Sequence, residues 1–218
     1  MKRLYLLVEG QTEETFVREL LTPHYSRLDL FITPIIVSTS PGHKGGVTNY
    51  AKVKSQLIRL CRQDRAANVS MLMDLYALPD DFPGKADAAY PIQGSGREKA
   101  EFIEVRLARD INESNFLPYL MVHEFEAMLF AGPEQFSDWT DSPQVIEALT
   151  AIVRAHQTPE DINDGPLSAP SKRILKLMPK YEKTFHGPLI ATEIGLDALR
   201  WTCPHFSAWL TRIEQLAL

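Results

Sequence analysis

Three stretches of the chain end an apolar run on groups that ionise or ligate. "LLVE" ends on Glu9, "SMLMD" on Asp74, and "YLMVHEFE" carries His123, Glu124 and Glu126. A carboxylate at the end of a buried strand is costly unless something pairs with it. Each has an ordinary use when taken singly. Glu9 to Glu14 is an acidic helix start, Asp74 caps a turn, His123 sits at a core boundary, and Glu124 with Glu126 lies on a solvated face. Taken together they suggest more, because ligands of an open parallel sheet bind at the carboxyl ends of its strands. Carboxylates gathered there repel one another and raise each other's pKa. A divalent cation removes that cost, and all-oxygen ligation selects Mg²⁺ or Mn²⁺ over zinc.

The elements that must position these groups follow from periodicity. "RLYLLV" (3–8) suits a strand buried on both faces. Thr12 then offers an N-cap, Glu13 and Glu14 favour the positive end of the helix dipole, and Phe16, Val17, Leu20 and Leu21 step at helical spacing. A second strand is expected over 30–40, with Pro34 demoting part of it to an edge or bulge. Residues 41–46, "PGHKGG", read as a flexible loop. Tyr50, Val53, Leu57 and Leu60 mark an amphipathic helix, and 68–76 a third strand with Asp74 near its end. A long polar loop spans 77–96, a length that is usually functional or disordered. Ile103, Leu107 and Ile111 line the next helix, and 116–130 begins as a strand and turns helical around Glu124.

This alternation predicts an α/β fold with an open, mostly parallel sheet flanked by helices. Helices are expected over 144–156, 171–181, 190–199 and 206–216, as a helical C-terminal extension. The expected organisation is a core over 1–132 with an extension over 133–218 packed on it, together one structural unit. Trp139, Trp201 and Trp209 are expected in the core rather than as base-stacking platforms.

Composition narrows the class. With 23 Lys and Arg against 28 Asp and Glu, the net charge of −5 provides no global basic field, which argues against a DNA-coating role but leaves local patches open. Two cysteines, Cys61 and Cys203, stand far apart in no ligand-like spacing, so neither a disulfide framework nor a zinc site is indicated and a reducing cytoplasm is expected. The apolar run in "MKRLYLLVEG" is too short for a signal peptide, and no window approaches the roughly 18 apolar residues of a membrane span.

"VEGQTEE" resembles the first motif of Toprim-type domains, found in topoisomerases, primases and overcoming-lysogenization-defect nucleases, and "MLMDLYALP" falls where those domains carry a strand ending in DxD. The closer resemblance is to a Toprim-like bacterial family called domain of unknown function 4276. Its pattern is matched in order by "VEGQTEE", "HKGG", "DLYALP", "VHEFEAMLF", "PEDIN", "PSKRI" and "IGL…CPHF", nearly the whole chain.

The resemblance implies a Toprim-like fold and makes Glu9 a metal ligand or general acid–base, Glu13 the second acidic position, and Asp74 the first Asp of DxD. Tyr76 stands where the second Asp belongs, which leaves one or two metals open unless Glu124 or Glu126 supplies an oxygen; Glu126 is the favoured one. The implied chemistry is Mg²⁺-dependent phosphoryl transfer on nucleic acid. Lys44, Gly45 and Gly46 would add a point charge and exposed backbone N–H groups, and Lys172 and Arg173 would contact a phosphate backbone. An ordinary surface turn and a solvated helix start are the duller alternatives for these. The resemblance also implies an ATPase partner of the AAA/ABC type and a setting in anti-phage defence. A non-catalytic binding or regulatory module, a small-molecule phosphohydrolase and homo-oligomerisation stay open.

Overall fold

The computed structural model describes residues 2–40, 43–44, 47, 49–76, 78–163, 165 and 168–217. Strand β1 (Lys2–Val8) leads through Gly10 into helix α1 (Gln11–Phe16). A π-helical turn, Val17–Leu21, joins α1 to α2 (Thr22–Ser26). β2 (Leu30–Ile36) follows, then a short antiparallel pair, β3 (Ser38–Ser40) and β4 (His43–Lys44). Helix α3 (Tyr50–Gln63) leads to β5 (Asn68–Leu72), and helix α4 (Gly96–Ile111) to β6 (Phe116–Leu117).

Among the described residues the main sheet has the order β2-β1-β5-β6, with every pairing parallel. The expected α/β architecture is present, and β2 is an edge, where the missing N–H of Pro34 leaves no inner ladder bond unmade. Strand ends are level: Val8 pairs with Ile36 on one side and Leu72 on the other, and Asp74 bridges Met121 in parallel.

Leu4, Leu6 and Val8 face one core, and Leu7 faces the other, as the period of a strand buried on both faces requires. The first core also holds Phe16, Val17, Leu21 and Tyr25 and residues from the C-terminal helices, including Ile190, Phe206 and Trp209. The second holds Val53, Leu57 and Leu60 of α3 and Ile103, Leu107 and Ile111 of α4. The 77–96 loop is pinned by buried Leu78 and Phe82 and by an ion pair between Arg106 and Asp87 at 2.8 Å. It ends in a capping box in which Ser95 and Glu98 satisfy one another's backbone N–H.

Past β6 the chain forms 3₁₀ turns at Phe125–Ala131 and Pro133–Asp138, then α5 (Pro143–Arg154), α6 (Pro170–Leu177), α7 (Lys183–Ile194), α8 (Leu196–Thr202) and α9 (Pro204–Ala217). Several sequence expectations are corrected here. The helix expected over 190–199 is two helices, because Gly195 takes a φ of 81° that stops α7. Helix α6 stops before Pro179 rather than reaching residue 181. Thr12 is no cap: α1 begins one residue earlier, and Thr12 is buried inside it. Of the tryptophans only Trp209 is fully in the core; Trp139 is half-buried and Trp201 is 90% exposed.

A buried polar network ties α9 to the rest. Glu104 Oε1 accepts from the Leu120 N–H at 2.8 Å and lies 2.9 Å from His205 Nε2. The carboxylate of Glu160 accepts the N–H groups of His205 and Phe206 at 2.8 and 2.9 Å. The Tyr119 ring stacks on both His205 and Trp209, and Trp209 Nε1–H donates to Ser70 Oγ at 3.0 Å.

Candidate active site

Level strand ends bring the first acidic groups together. The Glu9 N–H donates to the Leu72 carbonyl at 3.3 Å, and the Asp74 N–H approaches Glu9 Oε2 at 3.4 Å. Asp74 is held in turn: its Oδ1 accepts the Phe125 N–H at 2.9 Å, which fixes the start of the 3₁₀ turn carrying Glu126. Glu13 folds back from the first turn of α1, and its Oε2 accepts the Gly10 N–H at 2.9 Å. Glu13 is 4% exposed, Asp74 9% and Glu126 0%.

A cation that the sequence did not reveal enters this group. Lys183, the first residue of α7, places Nζ 3.0 Å from Glu126 Oε2 and 3.6 Å from Asp74 Oδ2. Its side chain keeps 41% of its surface open, so solvent reaches the ammonium from one side. No aligned hydrogen-bond donor reaches Glu126 Oε2 among the described residues, while Tyr181 Oη approaches Oε1 at 3.5 Å. Nothing in the spacing of "YEKTF" marks Lys183, because its role depends on where α7 docks.

Electrostatics follow from crowding and dryness. Burial raises the Glu9 pKa, opposed by the Asp74 N–H and by Lys183. Burial pushes Glu13 up to about 7, and the charge of Glu9 adds to the rise. Asp74 is raised by burial and by Glu13, Glu9 and Glu126, against the pull of Lys183. Burial likewise raises Glu126. Burial disfavours the charged form of Lys183, yet Asp74 and Glu126 outweigh it and its pKa rises. Carboxylates that share a dry site and cannot all ionise freely are suited to hold protons or a cation.

The remaining sequence candidates are distributed around this group. Glu124 is buried, with Oε2 accepting the Ser171 N–H at 3.0 Å and Oε1 meeting Ser171 Oγ at 3.1 Å, so it anchors the start of α6. Lys172 is exposed on that first turn, and Arg173 Nε donates to the Ser168 carbonyl at 2.6 Å. His123 takes a φ of 66° and turns away, its Nδ1 3.1 Å from Asn163 Nδ2. Lys44 belongs to β4, and Gly45 and Gly46 lie outside the described residues.

The donor chemistry of Glu9, Glu13, Asp74 and Glu126 fits a hard divalent cation, since it is all carboxylate oxygen and includes the under-bonded Oε2 of Glu126. Among the described residues, however, no three His, Cys, Asp or Glu side chains converge as a ligand sphere.

The parallel sheet and its flanking helices define a Toprim-like α/β protein. The chain belongs to the family described as Domain of unknown function (DUF4276), whose model matches residues 8–214. Among solved structures it is similar to the C-terminal region of the Burkholderia pseudomallei OLD protein, at 17% identity and a TM-score of 0.51 over 99% of this chain and 98% of that one. A C-terminal region of the Xanthomonas campestris pv. campestris OLD protein matches at 16% identity and a TM-score of 0.47, over 100% and 94% of the two chains. No curated protein sequence matches the chain. Among the described residues, no helix is long and apolar enough to cross a membrane.

Proposed function

We propose that this chain is a nuclease or related phosphodiester-cleaving enzyme dependent on Mg²⁺ or Mn²⁺, and the effector of an ATPase-coupled anti-phage system. The observation that carries the reading is the gathering of Glu9, Glu13, Asp74 and Glu126 around Lys183 at the carboxyl ends of parallel strands. These carboxylates would hold the cation, with Glu126 supplying the oxygen that Tyr76 lacks and Glu124 fixing α6 behind it. When bound, the cation supplies neutralisation of charge growing on the phosphate oxygens and activation of water.

The chain's own groups do the rest. Glu9 and Asp74 act at the reacting centre; with its pKa raised by burial, Glu9 is able to take and return a proton at Oε2 near neutral pH. Lys183 sets a second positive charge beside the phosphate. Lys44, Lys172 and Arg173, with the N–H groups of Gly45 and Gly46, guide the strand from outside.

Calorimetric titration with Mn²⁺ tests this directly. Wild type should bind, and Glu9→Gln and Asp74→Asn should each lose binding; cleavage is then assayed with the neighbouring ATPase present. No binding by wild type, or no cleavage of any nucleic acid with the ATPase added, overturns the proposal. A second reading, a binding module that docks on the ATPase without catalysis, is favoured by Tyr76 at the DxD position and by an ammonium already seated on Asp74 and Glu126.

A further inference from the structure

Next to the acidic group lies a cavity of about 390 Å³ with the opposite character. It is lined by Tyr76, Lys85, Tyr90, Lys99, His123 and Asn163, with no carboxylate among its lining residues. Two turns of backbone hold it to the acidic site: the Leu75 N–H donates to the Met121 carbonyl at 2.9 Å, and the Tyr76 N–H to the His123 carbonyl at 2.8 Å. His123 forms one wall because its left-handed backbone swings the ring onto the start of α4. A Cβ on Gly96 would come 2.7 Å from His123 Nε2, so the close approach depends on glycine there. Lys99 stands on the same helix, and Lys85 comes from the 77–96 loop.

Neither lysine forms an ion pair among the described residues, although acidic groups outnumber basic ones in this chain. Both are half-buried. Two half-buried ammonium groups that face one cavity repel each other unless an anion sits between them. The side-chain amide of Asn163 and the hydroxyls of Tyr76 and Tyr90 add donors that suit phosphate oxygens. Tyr76 is two residues from Asp74, a span of at most about 7 Å along the backbone, which is comparable to the separation of neighbouring phosphates in a nucleic-acid strand.

We propose that this cavity seats the phosphate that flanks the scissile one, with Lys85 and Lys99 as its cationic clamp. Tyr76 then occupies its position because the chain needs a neutral donor facing a phosphate there rather than a second carboxylate. The inference rests on the phosphodiester reading of the acidic site, and it assigns direction: the strand enters over the 77–96 loop and α4 and leaves across the carboxylates.

Binding of a fluorescently labelled single-stranded oligonucleotide to the full chain, by anisotropy across a salt series with EDTA present, tests it. Wild type should bind, and the Lys85→Gln/Lys99→Gln double variant should bind at least about tenfold more weakly, with a salt slope shallower by about 1.4 for two lost phosphate contacts. Lys99→Arg should retain binding, and Arg212→Gln on α9 should leave it unchanged. Absence of binding in wild type, or equal binding and slope in the double variant, overturns the clamp. Failure of the nuclease reading looks different: the oligonucleotide still binds through the lysines, but Mn²⁺ does not bind and no strand is cut.

Discussion

Around His205 two buried carboxylates, Glu104 and Glu160, each accept backbone N–H groups, and an imidazole faces Glu104. Around Lys183 the carboxylates of Glu9, Glu13, Asp74 and Glu126 share one ammonium among the described residues, and an oxygen of Glu126 has no aligned donor. The first region places its charges where donors already exist, as structural networks do. The second gathers more negative charge than its surroundings neutralise, as sites that bind or react do. Burial alone does not separate the two; the count of donors does.

The sharpest way to break this comparison is to remove an acceptor from the satisfied region. Glu104→Ala leaves the Leu120 N–H and His205 without a partner and should cost about 3 kcal/mol in urea denaturation. A loss below about 1 kcal/mol would mean the network is ornamental. Next in size is Lys183→Met in metal-free protein at pH 8, expected to cost about 2 kcal/mol, less than a fully buried pair because solvent reaches Nζ. Added Mn²⁺ should restore part of that loss if the carboxylates take the ion instead.

Neutralising an acid in the crowded region should do the reverse of Glu104→Ala. Glu13 has its pKa raised from 4.5 to about 7 in the folded, metal-free protein, so its contribution is fully present below pH 4.5 and is lost as pH rises through about 7. Glu13→Gln keeps the acceptor for the Gly10 N–H and should therefore stabilise the protein by about 1 kcal/mol at pH 8, and by nothing at pH 4.5. The smallest effect belongs to His205. Burial disfavours its charge, but Glu104 outweighs that and raises its pKa above 6.5, so its contribution is full below pH 6.5 and fades as pH rises through the folded value. His205→Gln should flatten thermal melts above pH 6.5 by about 0.5 kcal/mol, with Glu101, Glu104 and Glu160 still facing the site.

Local periodicity made the strands and the acidic turn legible, since alternation in "RLYLLV" and a carboxylate directly after it depend only on neighbours in sequence. Asp74 and Glu126 were legible for the same reason. Lys183 was not, because its partners come from β1, β5 and the 3₁₀ turn, and only the docking of α7 brings them within reach. The helix boundary at Gly195 was missed since the apolar spacing runs on across it, and a single φ of 81° decides the matter. Thr12 was taken for a cap because its residue type suits one, whereas the glutamate three residues past Gly10 does the capping instead. Tyr76 could be identified as a departure from DxD, but the lysines it faces came from a loop and a helix that sequence alone does not aim.

Trp201 has a practical consequence. It stands 90% exposed on α8 beside Pro133, Val153 and Pro204, while Trp209 is sealed between Tyr119 and Phe206 and Trp139 is half-covered. The intrinsic emission of the unlabelled protein therefore divides into a red-shifted part that iodide extinguishes and a blue-shifted part that it does not reach. Anything that settles over α8 will protect the first part and leave the second unchanged, which makes this face of the molecule its own optical sensor.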